Sequence, residues 1–151
     1  MSVVVRAASE ADFDTLIWLN QIVQSLHAAL YPGDFKRVID PVAVRTLFAT
    51  RLAAPEHVVG IAEADRVPVG YVWFEVQARP ETAFNPSRPR IYVHNISVAP
   101  GARRRGVATT LMSYVYSKRL QKAFMKLFWI RGRKIWRRAV FLGRRGSLSS
   151  T

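Results

Sequence analysis

The sequence predicts an α/β domain in which helices flank a central β-sheet, and three observations favour this fold class. Residues 57–77 have the composition of two long strands around a tight turn. Residues 9–31 carry apolar side chains at helical spacing, and residues 90–116 form a strand, a loop and a helix in succession. At 151 residues, half of them hydrophobic, the chain is expected to form one domain with a sizeable core.

The first elements are a short strand and two helices. Residues 3–6, Val-Val-Val-Arg, are mostly apolar and predict a strand. Ser9 begins the first helix, because residues 9–12 resemble a capping box with Asp in place of Glu, and a Tyr-Pro-Gly sequence at residues 31–33 ends it. A second helix is predicted over residues 40–53, since its leading Asp-Pro pair supplies an N-cap and a proline at the first helical position.

The middle of the chain predicts three strands. Residues 57–64 and 67–77 form an antiparallel hairpin around residues 65–66, Asp-Arg. A loop rich in Pro, Asn and Ser follows at residues 80–89. Residues 90–98 form a third long strand, which is apolar on both faces around its middle and is therefore expected to be central.

The most informative feature is the loop and helix that follow this strand. Residues 103–106, Arg-Arg-Arg-Gly, precede a helix whose apolar stripe contains Val107, Leu111 and Val115. Backbone N–H groups at a helix N-terminus point outward and carry the positive end of the helix dipole. This order of elements therefore predicts a cradle for an anion, and a phosphate-bearing cofactor is its natural ligand.

Residues 103–108, Arg-Arg-Arg-Gly-Val-Ala, resemble the signature of the GNAT superfamily of acyl-CoA-dependent N-acyltransferases, Arg/Gln-x-x-Gly-x-Gly/Ala between a strand and a helix. The order of elements over residues 3–117 is similar as well. The resemblance implies a mixed, mostly antiparallel central sheet flanked by helices, with an atypical C-terminal end. It also implies acetyl-CoA as cosubstrate and a small-molecule or peptide amine as acceptor.

The resemblance also implies where the cosubstrate binds. Gly106 and the small Ala108 let the backbone approach the diphosphate, and the arginines add positive charge around it. In the family, main-chain groups of the strand before the loop hold the pantetheine arm. The complete set expected to bind the cosubstrate is Ile96, Ser97, Val98, Arg103, Arg104, Arg105, Gly106, Val107, Ala108 and Thr109.

Catalysis needs a group that removes a proton from the amine, and family members often place a carboxylate on the strand before the loop. His94 and Asn95 occupy that place here, with Tyr92 on the same strand face as His94. An imidazole, with its ordinary pKa of about 6.5, accepts a proton at neutral pH. Glu75 on the neighbouring strand is the other candidate base. The alternatives are a structural histidine in a central strand and a paired or solvated carboxylate.

The other histidines and aromatic residues carry weaker signals. His27 and His57 have no metal-ligand spacing with each other or with His94, so no metal site is predicted. Aromatic side chains that either line an acceptor pocket or belong to the core are Trp73, Phe74, Tyr31 and Phe35.

Composition narrows the classes of protein further. The chain has no cysteine, which excludes disulfides and thiolate chemistry and fits a reducing cytoplasm. The N-terminus lacks the basic region of a secretory signal, and no apolar run approaches the roughly 18–20 residues of a membrane span. We therefore expect a cytoplasmic protein with no membrane span.

The tail does not resemble the family. Residues 1–117 carry 12 basic and 10 acidic side chains, whereas residues 118–151 carry 11 basic and none acidic. Family members continue into a splayed strand, a helix with an Asn and often a Tyr general acid, and a strand starting Gly-Phe. The tail lacks these features. Its apolar segment at residues 123–130 is expected to fill the place of the lost strand, and residues 134–142 are expected to form a short basic helix.

A shifted reading frame explains this tail. A frame that starts one base earlier joins the third base of each codon to the first two bases of the next codon. In that frame the codons of Met125 and Lys126 can only yield Glu, and the codons of Trp129 and Ile130 can only yield Asp. With permissible codons elsewhere, the shifted frame yields the missing strand, the Asn-containing helix and the Gly-Phe at family spacing. We therefore interpret the sequence after about residue 117 as frameshifted, and the chain as a GNAT domain over residues 1–117 with an atypical basic tail over residues 118–151.

The function expected from the sequence is acetyl-CoA-dependent transfer of an acetyl group to a primary amine, impaired where the altered C-terminus fails to complete the site. Two alternatives remain open. In one, the basic, aromatic tail binds nucleic acid or an anionic membrane. In the other, the chain is a remnant that binds CoA without turnover. The frameshift accounts for the tail without any such partner, and a homodimer is compatible with each interpretation.

Overall fold

The computed structural model of the chain describes residues 2–121 and 128–130. Its strands and helices, in chain order, are β1 (Val3–Ala7), α1 (Phe13–Leu30), α2 (Pro41–Ala53), β2 (His57–Ala64), β3 (Val67–Gln77), β4 (Arg90–Val98), α3 (Val107–Gln121) and β5 (Phe128–Ile130). Short 3₁₀ turns precede α1 at Glu10–Asp12 and α3 at Pro100–Ala102.

The strands form one mixed sheet in the order β1-β2-β3-β4-β5. Strands β1 to β4 are antiparallel to one another in successive pairs, and β5 is parallel to β4 beside Ile91–Val93. The β2–β3 turn lies where the sequence placed it. Asp65 and Arg66 both have positive φ angles, 50° and 65°, as a two-residue hairpin turn requires. The predicted mixed, mostly antiparallel sheet flanked by helices is confirmed.

Each face of the sheet is covered by helices. On one face, α3 packs its predicted apolar stripe, to which Met112 belongs, against buried side chains of β2, β3 and β4 such as Phe74 and Val93. On the other face, α1 and α2 contribute Leu16, Leu19 and Phe48 to a second buried cluster. This second face also carries the polar residues of the candidate site.

Local hydrogen bonds explain where the helices on this face begin. The Ser9 backbone N–H donates to Asp12 Oδ2 at 2.8 Å, and Arg6 donates two hydrogen bonds to the same carboxylate, each 2.8 Å. These bonds hold a 3₁₀ turn, so that α1 begins at Phe13 rather than at Ser9. At α2, Asp40 caps the helix as expected, because its carboxylate accepts from the Val42 N–H at 3.0 Å.

Two irregularities change which residues face each other in the sheet. The β2–β3 register shifts by one residue between Ala62 and Glu63, and the β3–β4 register shifts between Trp73 and Phe74. The second shift leaves His94 as the extra residue of β4, since Asn95 pairs with Trp73 while Val93 pairs with Phe74.

The tail is described only in part. Helix α3 continues past the expected boundary at residue 117 as far as Gln121. Within the segment expected to replace the lost strand, Phe128–Ile130 form β5. The basic helix expected at residues 134–142 lies outside the described residues. Within the described part of the chain, every helix is too short or too polar to cross a bilayer.

Candidate functional site

The Arg/Gly loop is exposed and opens directly onto the N-terminus of α3. Arg103, Arg104, Arg105 and Gly106 are all exposed. Gly106 has a φ angle of +79°, and a Cβ added there would meet nothing within 4 Å. The backbone at this position is therefore bare and faces open space, as close approach of a ligand requires.

The first turn of α3 supplies the donors of the predicted cradle. The Gly106 carbonyl accepts from the Thr110 backbone N–H at 3.0 Å and from the Thr110 hydroxyl at 2.9 Å, which marks the start of the helical ladder. The amides of residues 107–109 precede that ladder, so they are the N–H groups that a helix leaves outside its own hydrogen bonds. The Val107 side chain is buried, Ala108 is partly buried and Thr109 is exposed.

The end of β4 leads into this loop. The side chains of Ile96 and Ser97 are buried, and the Ser97 hydroxyl donates to the Leu19 carbonyl of α1 at 2.7 Å. Because these two side chains are buried in the core, a ligand beside residues 96 and 97 would meet main-chain groups. Among the described strands, β5 pairs with β4 only at Ile91–Val93 and stops short of this segment.

The structure brings the three predicted catalytic candidates together. His94 Nε2 lies 2.9 Å from Glu75 Oε1, and the Tyr92 ring meets the His94 ring edge-on at a centroid distance of 4.6 Å. The His94 ring also stacks on Trp73, at 4.2 Å and 15°. His94 and Glu75 are largely buried, with side-chain exposures of 15% and 18%.

His57 joins this cluster, although the sequence analysis did not select it. It pairs with Glu75 across the β2–β3 ladder, and its Nε2 lies 3.3 Å from Glu75 Oε2. Its Nδ1 accepts a hydrogen bond of 3.0 Å from the Trp73 indole. Each of His57, Glu75 and His94 offers one atom that could ligate a metal ion, and these three atoms lie within 4.8 Å of one another. Sequence spacing gave no sign of this convergence.

The environment keeps Glu75 ionised. Partial burial raises the pKa of its carboxyl, but hydrogen bonds from Gln77 and His94, together with the nearby imidazoles of His94 and His57, lower it by more. The net result is a pKa below the ordinary value. Because an ionised carboxylate only accepts hydrogen bonds, His94 Nε2 must be the donor in the bond between them.

A pocket of about 230 Å³ opens beside His94. It is lined by α1, by the loop between α1 and α2, and by β4, through Gln24, His27, Asp34, Phe35, Lys36, His94 and Asn95. Of the aromatic residues considered for an acceptor pocket, Phe35 lines this pocket. The Tyr31 ring packs against the Phe35 ring, with their centroids 6.5 Å apart. Phe74 instead belongs to the core under α3, and Trp73 stacks behind His94.

Comparisons with known proteins identify a family that matches the sequence and solved structures that share the fold. A model of the acetyltransferase (GNAT) family matches residues 20–133. A tetramutant of the BH1408 protein from Bacillus halodurans has a similar structure, with a TM-score of 0.79 and 15% identity over 97% of this chain and 92% of that one.

Two further solved structures are similar. An aminoglycoside antibiotic 6′-N-acetyltransferase from Acinetobacter baumannii has a TM-score of 0.67 and 15% identity over 95% of this chain and 88% of its own. A predicted acetyltransferase with acetyl-CoA from Clostridium acetobutylicum has a TM-score of 0.67 and 17% identity over 91% of this chain and 86% of its own. At these identities the likeness concerns the fold. None of the curated protein sequences compared matches the chain.

Proposed function

The chain belongs to the GNAT family of acetyltransferases, and from that premise we propose that it is an acetyl-CoA-dependent N-acetyltransferase acting on a primary amine. The observation that carries the proposal is the bare, positively charged loop at Arg103–Gly106, which meets the first-turn amides of α3. Backbone donors, helix dipole and arginine charge converge there on one exposed position, which suits a diphosphate.

Strand β4 joins this cradle to the catalytic cluster. Residues 94 and 98 are separated by roughly 13 Å at about 3.3 Å per residue. We propose that the main chain of residues 96–98 holds the pantetheine arm between the two sites. The side chains of Ile96 and Ser97 face the core, which leaves backbone groups for this task.

In the transfer, the amine nitrogen bonds to the thioester carbonyl carbon, the carbon–sulfur bond breaks, and the CoA thiolate takes a proton from solvent. Bound acetyl-CoA supplies the activated acyl group. The chain must orient the amine and accept one of its protons. We assign His94 as the base, because hydrogen bonds from Gln77 and His94 and the nearby His57 ring keep Glu75 ionised, which makes it a weak base and a good orienting group.

The 230 Å³ pocket beside His94 is the proposed acceptor site. The Asp34 carboxylate at its rim suits a protonated amine approaching from solvent. A neighbour of the same fold is an aminoglycoside 6′-N-acetyltransferase, which supports a small-molecule amine as the acceptor class. The amine of a peptide is the alternative acceptor.

Calorimetric titration with acetyl-CoA tests the cradle. Gly106→Ala adds a methyl group where the diphosphate would lie and strains a backbone at φ +79°. We expect it to weaken binding at least tenfold. Gly101→Ala is the matched control, since a Cβ there also meets nothing within 4 Å and its backbone is not left-handed. Equal affinities for Gly106→Ala and the unaltered chain would contradict the proposed diphosphate site.

A further inference from the structure

The indole of Trp73 fixes the proton of His57. An indole N–H can donate a hydrogen bond but cannot accept one, so His57 Nδ1, 3.0 Å away, must present its lone pair. The proton of the neutral His57 ring is therefore on Nε2. That atom faces Glu75 Oε2 at 3.3 Å, and the His57 side chain is only 6% exposed. The Nε2–H group of His57 is thus buried next to the Glu75 carboxylate.

Both oxygens of Glu75 have polar neighbours. His94, at 2.9 Å, and Gln77, at 2.6 Å, donate hydrogen bonds to Oε1, while His57 Nε2 lies 3.3 Å from Oε2 in a charge–dipole contact. Gln77 is fixed in turn by Arg90, whose Nε donates to Gln77 Oε1 at 2.6 Å. These contacts restrain the carboxylate beside His94. Because His94 donates its Nε2–H hydrogen bond to Glu75, the lone pair of its neutral ring is on Nδ1.

The same geometry argues against a metal ion among His57, Glu75 and His94, although their donor atoms lie within 4.8 Å of one another. A metal on His57 Nε2 would need that atom's lone pair, which moves the proton to Nδ1. That proton would face the Trp73 indole N–H, donor against donor, at 3.0 Å. The Trp73–His57 hydrogen bond therefore disfavours a metal ion among these three residues.

We propose that His57 is a positioning residue, which acts through Glu75 to fix the orientation and the proton position of His94. The inference rests on the proposed N-acetyl transfer, in which His94 is the base. Among the described residues, titratable groups near the His94 ring include Tyr92 on β4 and three residues of the shared pocket, His27, Asp34 and Lys36. None of these sits on the Glu75 oxygen that His57 contacts.

Two substitutions separate positioning from folding. His57→Leu removes both ring nitrogens, whereas His57→Gln keeps an amide N–H that can reach Glu75. We expect His57→Leu to lower kcat by about 10- to 100-fold with the KM for acetyl-CoA unchanged, because small misplacements of a catalytic group have effects of this size. His57→Gln is expected to recover most of the loss. Thermal denaturation of both variants reports whether they fold.

Nitrogen-15 NMR of the histidine rings gives a readout that needs no turnover. In the unaltered chain we expect the neutral rings of His57 and His94 to carry the proton on Nε2, and in His57→Leu we expect His94 to sample both tautomers. An unchanged His94 spectrum in a folded His57→Leu variant would overturn the inference, as would tight Zn²⁺ binding that shifts both rings in the unaltered chain. A chain that shows the His57-dependent tautomer but transfers no acetyl group would contradict the proposed function alone.

Discussion

Replacing Glu75 by glutamine is the sharpest perturbation of the candidate site. The amide keeps the shape of the carboxylate but exchanges one acceptor oxygen for an NH₂ donor. If the amide oxygen stays beside His94 and Gln77, the NH₂ group faces the N–H group of His57 Nε2. In the reverse orientation, the NH₂ group faces the N–H donors of His94 and Gln77. Either orientation places at least one donor against a donor inside a largely buried cluster.

The expected magnitudes follow from these contacts. A buried donor left without its acceptor costs about 1–3 kcal/mol, so we expect Glu75→Gln to lower the free energy of unfolding by about 2 kcal/mol at pH 7. Because the pKa of Glu75 is lowered in the folded state, its stabilisation is present above its ordinary value of 4.5 and is lost as pH falls below it. The difference between the two proteins should therefore narrow below pH 4.5.

The effect on catalysis has its own direction. A carboxylate favours the protonated imidazole beside it, so its removal makes His94 easier to deprotonate. We expect the midpoint of the kcat/KM profile to move to lower pH and the plateau to fall by about tenfold.

The assay is release of the CoA thiol, followed from pH 5 to pH 9, beside urea denaturation at pH 7 and pH 4. Glu63→Gln is the matched control, because it removes a carboxylate from β2 that accepts from Arg6 at 2.6 Å, away from the catalytic cluster. It should change stability and leave the pH profile in place. Coincident pH profiles for Glu75→Gln and the unaltered chain would refute the role given to Glu75.

Three further substitutions test the fold around the site. Asp12→Asn should lower the free energy of unfolding by about 2 kcal/mol at neutral pH, because the Asp12 carboxylate accepts two hydrogen bonds from Arg6. The pKa of Asp12 is lowered by Arg6, so this loss should fade as pH falls below its ordinary value of 3.8, and a loss that is constant with pH would contradict the pairing. Asp40→Ala should cost about 1 kcal/mol by removing the N-cap of α2, and an unchanged urea midpoint would argue against that cap. Gly60→Ala should cost about 1–3 kcal/mol, because its Cβ would lie 2.7 Å from Tyr114 Cε1, and an unchanged Tm would show that α3 does not pack this closely on β2.

Most element boundaries could be predicted because local signals determine them. The Asp-Pro pair at residues 40–41 starts α2, the Asp-Arg pair at residues 65–66 turns the β2–β3 hairpin, and Gly106 precedes α3. Each signal acts within a few residues of chain. The start of α1 was misplaced because Arg6, on a different element, holds Asp12 in a 3₁₀ turn.

The composition of the candidate site could be predicted only in part, because it depends on strand register. Ala64 pairs with Val67 next to the hairpin turn. If this antiparallel register continued along both strands without a bulge, His57 would lie opposite Phe74. The one-residue shift at Ala62/Glu63 brings His57 opposite Glu75 instead. A bulge arises from packing across the whole sheet, so a pattern within one strand does not reveal it. His94 and Glu75 were selected for their chemistry, whereas His57 became visible only through the register.

The central claim is that the chain transfers an acetyl group with His94 as the base. Its most direct measurement is amine-dependent CoA release over a panel of small amines and peptides, for the unaltered chain and for His94→Gln. The account predicts amine-dependent release that falls by about 10²- to 10⁴-fold in His94→Gln, with the Kd for acetyl-CoA unchanged. Acetyl-CoA binding without release on any amine would contradict the account and indicate an inactive CoA-binding protein. Absent acetyl-CoA binding, together with salt-dependent binding of nucleic acid, would favour the basic-tail alternative.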